Sequence, residues 1–299
     1  MARRVSRDPS VSGYGTDWMF RLAFLIVFIG LAACGQPTRS MSPLLSERPM
    51  RIVSLDFCAD QYVLKLADRE QILAISPDGV KPFSHMRETA IGIPVVRSIA
   101  EDVLVLKPDL VVRSYGGGPN ATAFFERAGI PVLQVGWASS IHGEEVGAIP
   151  FLIRQMADGL GQSERGDDLV DDYTSRLAHL RAEAGETSAL YITPSGVTSG
   201  EGSLIHDAML AAGLENYMTK SGWHSLPLEA LAYSRPDLVA TSFFGDNSNH
   251  QSNWSAARHP MAQRELEAPR QVALEGAWTS CGGWFILNVV EALSAGAAQ

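Results

Sequence analysis

Basic charge, cysteine and long apolar runs are all scarce in these 299 residues. Twenty-four Lys and Arg stand against 33 Asp and Glu, for a net charge of −9. A nucleic-acid binder needs a basic face to meet phosphates, so this balance argues against that class. Three cysteines are too few for a disulfide-dense scaffold or a four-cysteine metal cluster. The seven histidines are scattered, with no His-x-His pair and no His-rich loop. The Gly-x-Ser-x-Gly elbow, the His-Glu-x-x-His zinc signature and the Walker A loop are all missing. What the chain does have is an ordinary apolar fraction, 46%, which suits a globular protein rather than a disordered one.

The apolar run from Leu22 to Ala33 follows Arg21 and carries no charge. It falls short of the ~20 residues that span a bilayer core and has the length of a signal-peptide apolar region. It ends in Leu31-Ala32-Ala33-Cys34-Gly35, which resembles a bacterial lipobox. Residues 1–33 are therefore expected to be a lipoprotein signal peptide, with Cys34 as the lipidated residue and Met19 as a second candidate start. Cleavage would remove Arg3, Arg4, Arg7 and Arg21 against Asp8 and Asp17, so the exported chain would be more negative than the whole by two charges. Residues 34–50, polar and carrying Pro43 and Pro49, read as a tether.

From Arg51 onward, short apolar runs alternate with helical spacings, the pattern of α/β layers. Strands are expected at 51–55, 72–75, 95–96, 109–112 and 131–135, with helices at 60–67, 101–106 and 119–128. The stretches 144–159 and 164–184 are helical in spacing, with Ile149, Leu152, Ile153, Met156 and Leu160 on one face. Alternation then resumes, with strands at 189–193, 237–241 and 271–274 and helices at 204–212, 228–232 and 284–295. The reading is an N-terminal lobe over 51–140, a helical linker region over 141–186 and a C-terminal lobe over 187–299.

The lobes echo each other. Glu101 precedes Pro108-Asp109-Leu110-Val111 by seven residues, and Glu229 precedes Pro236-Asp237-Leu238-Val239 by the same interval. A basic residue stands before each Pro, and an aromatic, Tyr115 or Phe243, lies six residues past each Asp. One such element is common where a helix stops before a strand. Two of them imply two similar lobes.

With these features in order, the chain resembles the bacterial substrate-binding proteins of ABC importers for iron-siderophores, haem and vitamin B12. The resemblance runs from Arg51 to Leu293. It rests on the opening strand RIVSL with its helix and Gln71-Ile-Leu-Ala-Ile-Ser76, on Ala100 to Val112, on Glu229 to Val239, and on the helical middle. It implies two similar α/β lobes joined by a single long helix (a type III, chelatase-like architecture), with little hinging. The implied cargo is a metal chelate (ferric siderophore, haem or cobalamin) held between the lobes as a transported ligand, with no prosthetic group. It further implies a monomer that delivers cargo to the permease, Glu101 and Glu229 docking on it. The location follows as periplasmic, or the outer face of the cytoplasmic membrane, with the lipid at Cys34 as anchor.

Ligands of open α/β sheets bind beyond the carboxyl ends of the strands. The loops there offer Phe57, Cys58, Tyr115, Trp137, Trp223, Phe243, Trp278 and Cys281 as ligand contacts, aromatics suited to a large flat molecule. Tyr115 or His85 could serve haem as axial ligand, Arg87, Arg97 and Arg113 an anionic siderophore, and the aromatics a cobalamin. Trp278-Thr-Ser-Cys281-Gly282-Gly283 is similar to a loop of one subgroup of these receptors. Cys58 and Cys281 either pair across the cleft, which needs Cα atoms within about 7 Å, or remain two thiols. Two rival readings remain. A free zinc or manganese receptor would need three or four clustered His, Asp or Glu. An extracytoplasmic hydrolase would need a base beside a nucleophile such as Ser203.

Overall fold

The computed structural model describes residues 48–181, 184–243 and 255–298. Cys34 and the expected signal peptide lie outside the described residues, as does all of the tether before Arg48. The described residues belong to one compact unit, 45–299.

The first half runs β1 (Ile52–Ser54), α1 (Phe57–Leu66), β2 (Ile72–Ala74), α2 (Ala100–Val105), β3 (Leu110–Arg113), α3 (Ala121–Arg127) and β4 (Val132–Gln134). Next come α4 (Ile149–Gly159) and α5 (Ser163–Leu180). The second half holds β5 (Ser188–Ile192), β6 (Val197–Ser199), α6 (Leu204–Ala211), β7 (Glu215–Asn216), β8 (Trp223–Ser225), α7 (Leu228–Tyr233) and β9 (Leu238–Phe243). It closes with α8 (Pro260–Leu266), β10 (Gln271–Glu275), α9 (Gly276–Thr279) and α10 (Leu287–Ala297).

Two four-stranded sheets result, ordered β2-β1-β3-β4 and β7-β5-β9-β10, and every pairing in them is parallel. The orders correspond strand for strand, so the sequence echo is a repeated topology. Its Asp has a mechanical role. Asp109, just before β3, accepts hydrogen bonds from the backbone N–H of Met50 and Arg51 at 2.9 Å each, at the entrance to β1. Asp237, just before β9, accepts from the N–H (2.9 Å) and hydroxyl (2.8 Å) of Ser188, which opens β5. Each carboxylate thus ties the start of one central strand to its neighbour, and the Ser188 hydrogen bonds hold the Asp237 carboxyl below its usual range.

Alternate residues along the central strands face different cores. Ile52, Leu110, Val112, Ala189, Tyr191, Leu238 and Ala240 enter one cluster shared by both halves, together with residues of α1, α4, α5, α6 and α10. Val53, Leu55 and Val111 face a smaller core in the first half, and Leu190, Ile192 and Val239 a smaller one in the second. The inner helical layers are therefore fused into a single core. Opening the halves would expose apolar surface at about 25 cal/mol per Å².

The helical middle differs from one uninterrupted run. Its first stretch becomes helical only at Ile149, because Gly143 and Gly147 adopt positive φ, and Pro150 then sits in the first turn. Gly161 (φ +68) breaks the chain between α4 and α5. The two helices pack so closely that a Cβ on Gly166 would lie 2.3 Å from that of Ala157. Only α5, 18 residues and about 27 Å long, carries the chain to the second sheet. Residues 95–96 make one bridge, Ile75 to Val95, rather than a strand. β6 and β8 form an antiparallel pair where no strands were expected, with Ser199 opposite Trp223.

Asp60 is fully buried in α1 and accepts from Ser76 N–H (3.1 Å) and hydroxyl (2.6 Å). Burial raises its carboxyl to about 7, against the lowering effect of its hydrogen bonds. In the unfolded chain the group titrates near 4, so from about pH 4 to 7 the folded state holds the extra proton. Stability gained below that window is lost as pH rises through about 7. Melting temperatures across pH 4 to 8 should fall more steeply for the native chain than for Asp60→Asn, and parallel profiles would reject the assignment.

Candidate ligand-binding cleft

Sheet order turns outward from β1 and β3 in the first half and from β5 and β9 in the second, which marks the two topological switch points. Beyond the first lies Asp56, only 3% exposed. Its Oδ1 caps α1 by accepting from Ala59 N–H at 3.0 Å. Its Oδ2 accepts from the N–H groups of Ser114 (2.7 Å), Tyr115 (3.1 Å) and Gly116 (2.8 Å). One carboxylate therefore fixes both the helix that starts with Phe57 and Cys58 and the loop that presents Tyr115. Gly116 is required there, since a Cβ would lie 2.2 Å from the Leu55 carbonyl oxygen.

The cleft beyond these loops has a volume of ≈ 340 Å³, within the range of small-molecule sites. Tyr115 (55% exposed), Trp137 (78%) and Trp223 (50%) form its rim. Phe57, Val135, Ile205, Ile286 and the Cys58–Cys281 pair lie deeper. Phe57 meets Tyr115 edge-on at 6.2 Å and Phe83 at 5.0 Å, and Trp223 meets the buried Tyr191 at 6.3 Å. The described lining carries no Lys, Arg, His, Asp or Glu side chain. Its polar groups are hydroxyls and backbone, from Ser114, Ser203, Thr279 and Ser280 among others.

Cys58 and Cys281 are joined as a disulfide with Cα atoms 5.5 Å apart, so of the two alternatives the pair is the one observed. The Tyr62 hydroxyl donates to the Gly282 carbonyl, and the Ser280 hydroxyl to the Phe83 carbonyl, each at 3.0 Å. These bonds flank the disulfide and join the same two halves. A Cβ on Gly282 would stand 2.3 Å from that of Ala138.

Several expected contacts lie elsewhere. Trp278 does not line the cleft; it packs against the shared core, because α9 turns its side chain inward. Phe243 ends β9, and its side chain lies outside the described residues. His85 stacks on Phe285 at 4.5 Å in the seam between halves, where burial first, then Arg87, Lys65 and Arg176, lower its pKa to about 4. Arg113 is committed to the Gly116 and Gly118 carbonyls and the Thr122 hydroxyl. Arg97 pairs with Asp102, and Arg87 contacts the Pro82 and Ser84 carbonyls. Ser203 caps α6, donating to the Gly200 carbonyl at 2.8 Å and accepting from His206 N–H. Among the described residues, no three His, Cys, Asp or Glu are grouped to hold a metal ion. Glu101 and Glu229 are exposed in the first turns of α2 and α7, and neither makes an ion pair among the described residues. A helix that precedes a parallel strand starts at that sheet's carboxyl end, so each Glu sits on the cleft-facing edge of its own half.

Residues 52–264 match the family model described as periplasmic binding protein. The chain belongs to this family. A cobalamin-binding protein of Halobacterium salinarum is 27% identical over 209 residues, 68% of this chain and 56% of that protein. A vitamin B12-binding protein of Salmonella typhimurium is 28% identical over 55% of this chain and 64% of its own. The chain thus spans less than two thirds of either relative. Among solved structures, a periplasmic heme-binding protein of Roseiflexus superposes with a TM-score of 0.63 at 20% identity, over 83% of this chain and 98% of that one. A periplasmic vitamin B12-binding protein of Vibrio cholerae gives 0.60 at 19%, over 83% and 96%. The α/β fold with parallel sheets is that of these periplasmic binding proteins.

Asp56 was not legible in the sequence as the hub of the site, because only folding brings residues 114–116 to it. Asp56→Ala strands four N–H groups, two buried (Ala59 and Gly116) and two partly buried (Ser114 and Tyr115), and each buried one is worth about 1–3 kcal/mol. Urea denaturation should show a loss of at least about 3 kcal/mol, and a loss under 1 kcal/mol would contradict the hub role. Cys58→Ser/Cys281→Ser should cost about 2–5 kcal/mol in the same assay.

Proposed function

We propose that this periplasmic binding protein is the extracytoplasmic substrate-binding component of an ABC importer, and that its cargo is a cobalamin-type corrinoid. The observation that carries the reading is the aromatic-rimmed cleft lining, uncharged among the described residues. An anionic ferric siderophore calls for cationic partners, and Arg87, Arg97 and Arg113 are engaged elsewhere. Haem iron calls for an axial donor from the protein. Tyr115 offers a phenol, but partial burial, then Asp56, Asp78 and Asp60, raise its pKa and disfavour the phenolate. A corrinoid carries its own axial base and asks for flat apolar contact with neutral hydrogen-bonding groups, which this lining provides. The cobalamin and vitamin B12 binding of the relatives points the same way.

In this reading the receptor acts as a monomer, anchored through lipid on Cys34. The exposed Glu101 and Glu229 meet cationic side chains of the permease, one contact from each half, giving a two-point electrostatic register. Cargo is bound and passed on without covalent change.

Isothermal titration against cyanocobalamin, haemin and a ferric siderophore should give binding to cyanocobalamin alone or at least tenfold tighter than to the others. Tighter haemin binding would overturn the corrinoid assignment. Trp137→Ala and Trp223→Ala should each weaken cyanocobalamin by about 5- to 30-fold, the order expected for an aromatic contact of 1–2 kcal/mol. Glu101→Arg/Glu229→Arg should leave that affinity unchanged while abolishing uptake in cells.

A further inference from the structure

We propose that the Cys58–Cys281 disulfide is a redox-sensitive clasp that sets the aperture of the cleft and is itself covered by bound cargo. The cargo-dependent half of this inference rests on the corrinoid reading; the clasp does not.

The bond joins the first turn of α1 to the segment after α9, across 223 residues of sequence and from one half to the other. It lies where the two halves meet beneath the aromatic rim, and both cysteines contribute to the cleft wall. Cys281 is 8% exposed and Cys58 partly buried, and both face the cleft they line. Beside the bond are the Tyr62–Gly282 and Ser280–Phe83 hydrogen bonds. Next to them, Trp284 packs edge-on against Tyr62 at 5.6 Å and His85 stacks on Phe285. These contacts are individually weak and reversible. The disulfide is the one covalent link among them, and it holds the start of α1 and the 280–283 segment at a fixed separation in the cleft wall.

The chemistry needs a dithiol reductant. A thiolate of the reductant attacks one sulfur of the pair, forming a mixed disulfide and releasing one cysteine thiolate. The second reductant thiolate then displaces the other cysteine. Two cysteine thiols and one cyclic disulfide of the reductant result, so the protein gains two electrons and two protons. A ligand lying over the sulfurs blocks the attacking thiolate. By linkage, a ligand that binds the clasped form more tightly must make that form harder to reduce. The reduced receptor keeps its shared core but loses the covalent limit on the distance between α1 and the 280–283 segment, so it releases cargo faster.

The test uses the folded chain with no reductant added. Thiol titration under denaturant should find Cys58 and Cys281 unreactive, and two reactive thiols from this pair would overturn the proposal. Amide hydrogen exchange of residues 56–62 and 279–286 should speed up at least tenfold on reduction with dithiothreitol and in Cys58→Ser/Cys281→Ser. Exchange unchanged in both would overturn the clasp, whatever the cargo. Saturating cyanocobalamin should slow reduction by dithiothreitol at least tenfold, and the double variant should release cyanocobalamin at least tenfold faster. Equal rates, with cyanocobalamin bound, would overturn the coupling to cargo. If cyanocobalamin binds no form of the protein, the corrinoid reading and its coupling fall together, while hydrogen exchange still decides the clasp.

Discussion

A single buried carboxylate organises the binding side of the first half. Asp56 accepts four backbone N–H groups, one from the start of α1 and three from the loop after β3. An unpaired charge at that depth would be costly, so its position is tolerated only because these donors converge on it. The same convergence aligns Phe57, Cys58 and Tyr115 along one wall. The wall's geometry therefore follows from satisfying one buried group, and the glycine at 116 follows from how near the loop must come to Leu55.

The second constraint is the shared core. Alternation along β1, β3, β5 and β9 sends one set of side chains into a cluster common to both halves and the other set into a private cluster in each. A molecule built this way resists hinging, because parting the halves would expose core. The disulfide and its flanking hydrogen bonds reinforce that resistance at the cleft itself. Tyr115, Trp137 and Trp223 by contrast stand exposed at the cleft rim, outside this packed core.

Much of the fold was legible because periodicity and punctuation are local. The Pro-Asp-Leu-Val repeat announced two similar halves, and the matching sheet orders together with the Asp109 and Asp237 hydrogen bonds supply its physical reason. The β6–β8 pair was not legible, since its partners lie more than twenty residues apart and neither strand is strongly patterned. Of the site, Phe57, Cys58, Tyr115, Trp137, Trp223 and Cys281 could be picked out as aromatics and cysteines at strand exits, and all line the cleft. Trp278 looked the same in sequence, but the direction a side chain takes from a short helix is set by what packs beneath it.

Sequence alone determined the α/β class, the duplication, the acidic balance and the candidate export signal, because each depends on composition or on spacing along the chain. Only the tertiary structure decided which residues share a surface. It joined Cys58 to Cys281 across 223 residues, gave Asp56 its four donors, and committed Arg113 to its own loop. Those outcomes depend on distances between segments far apart in sequence, which are fixed when the buried apolar and polar groups are satisfied together.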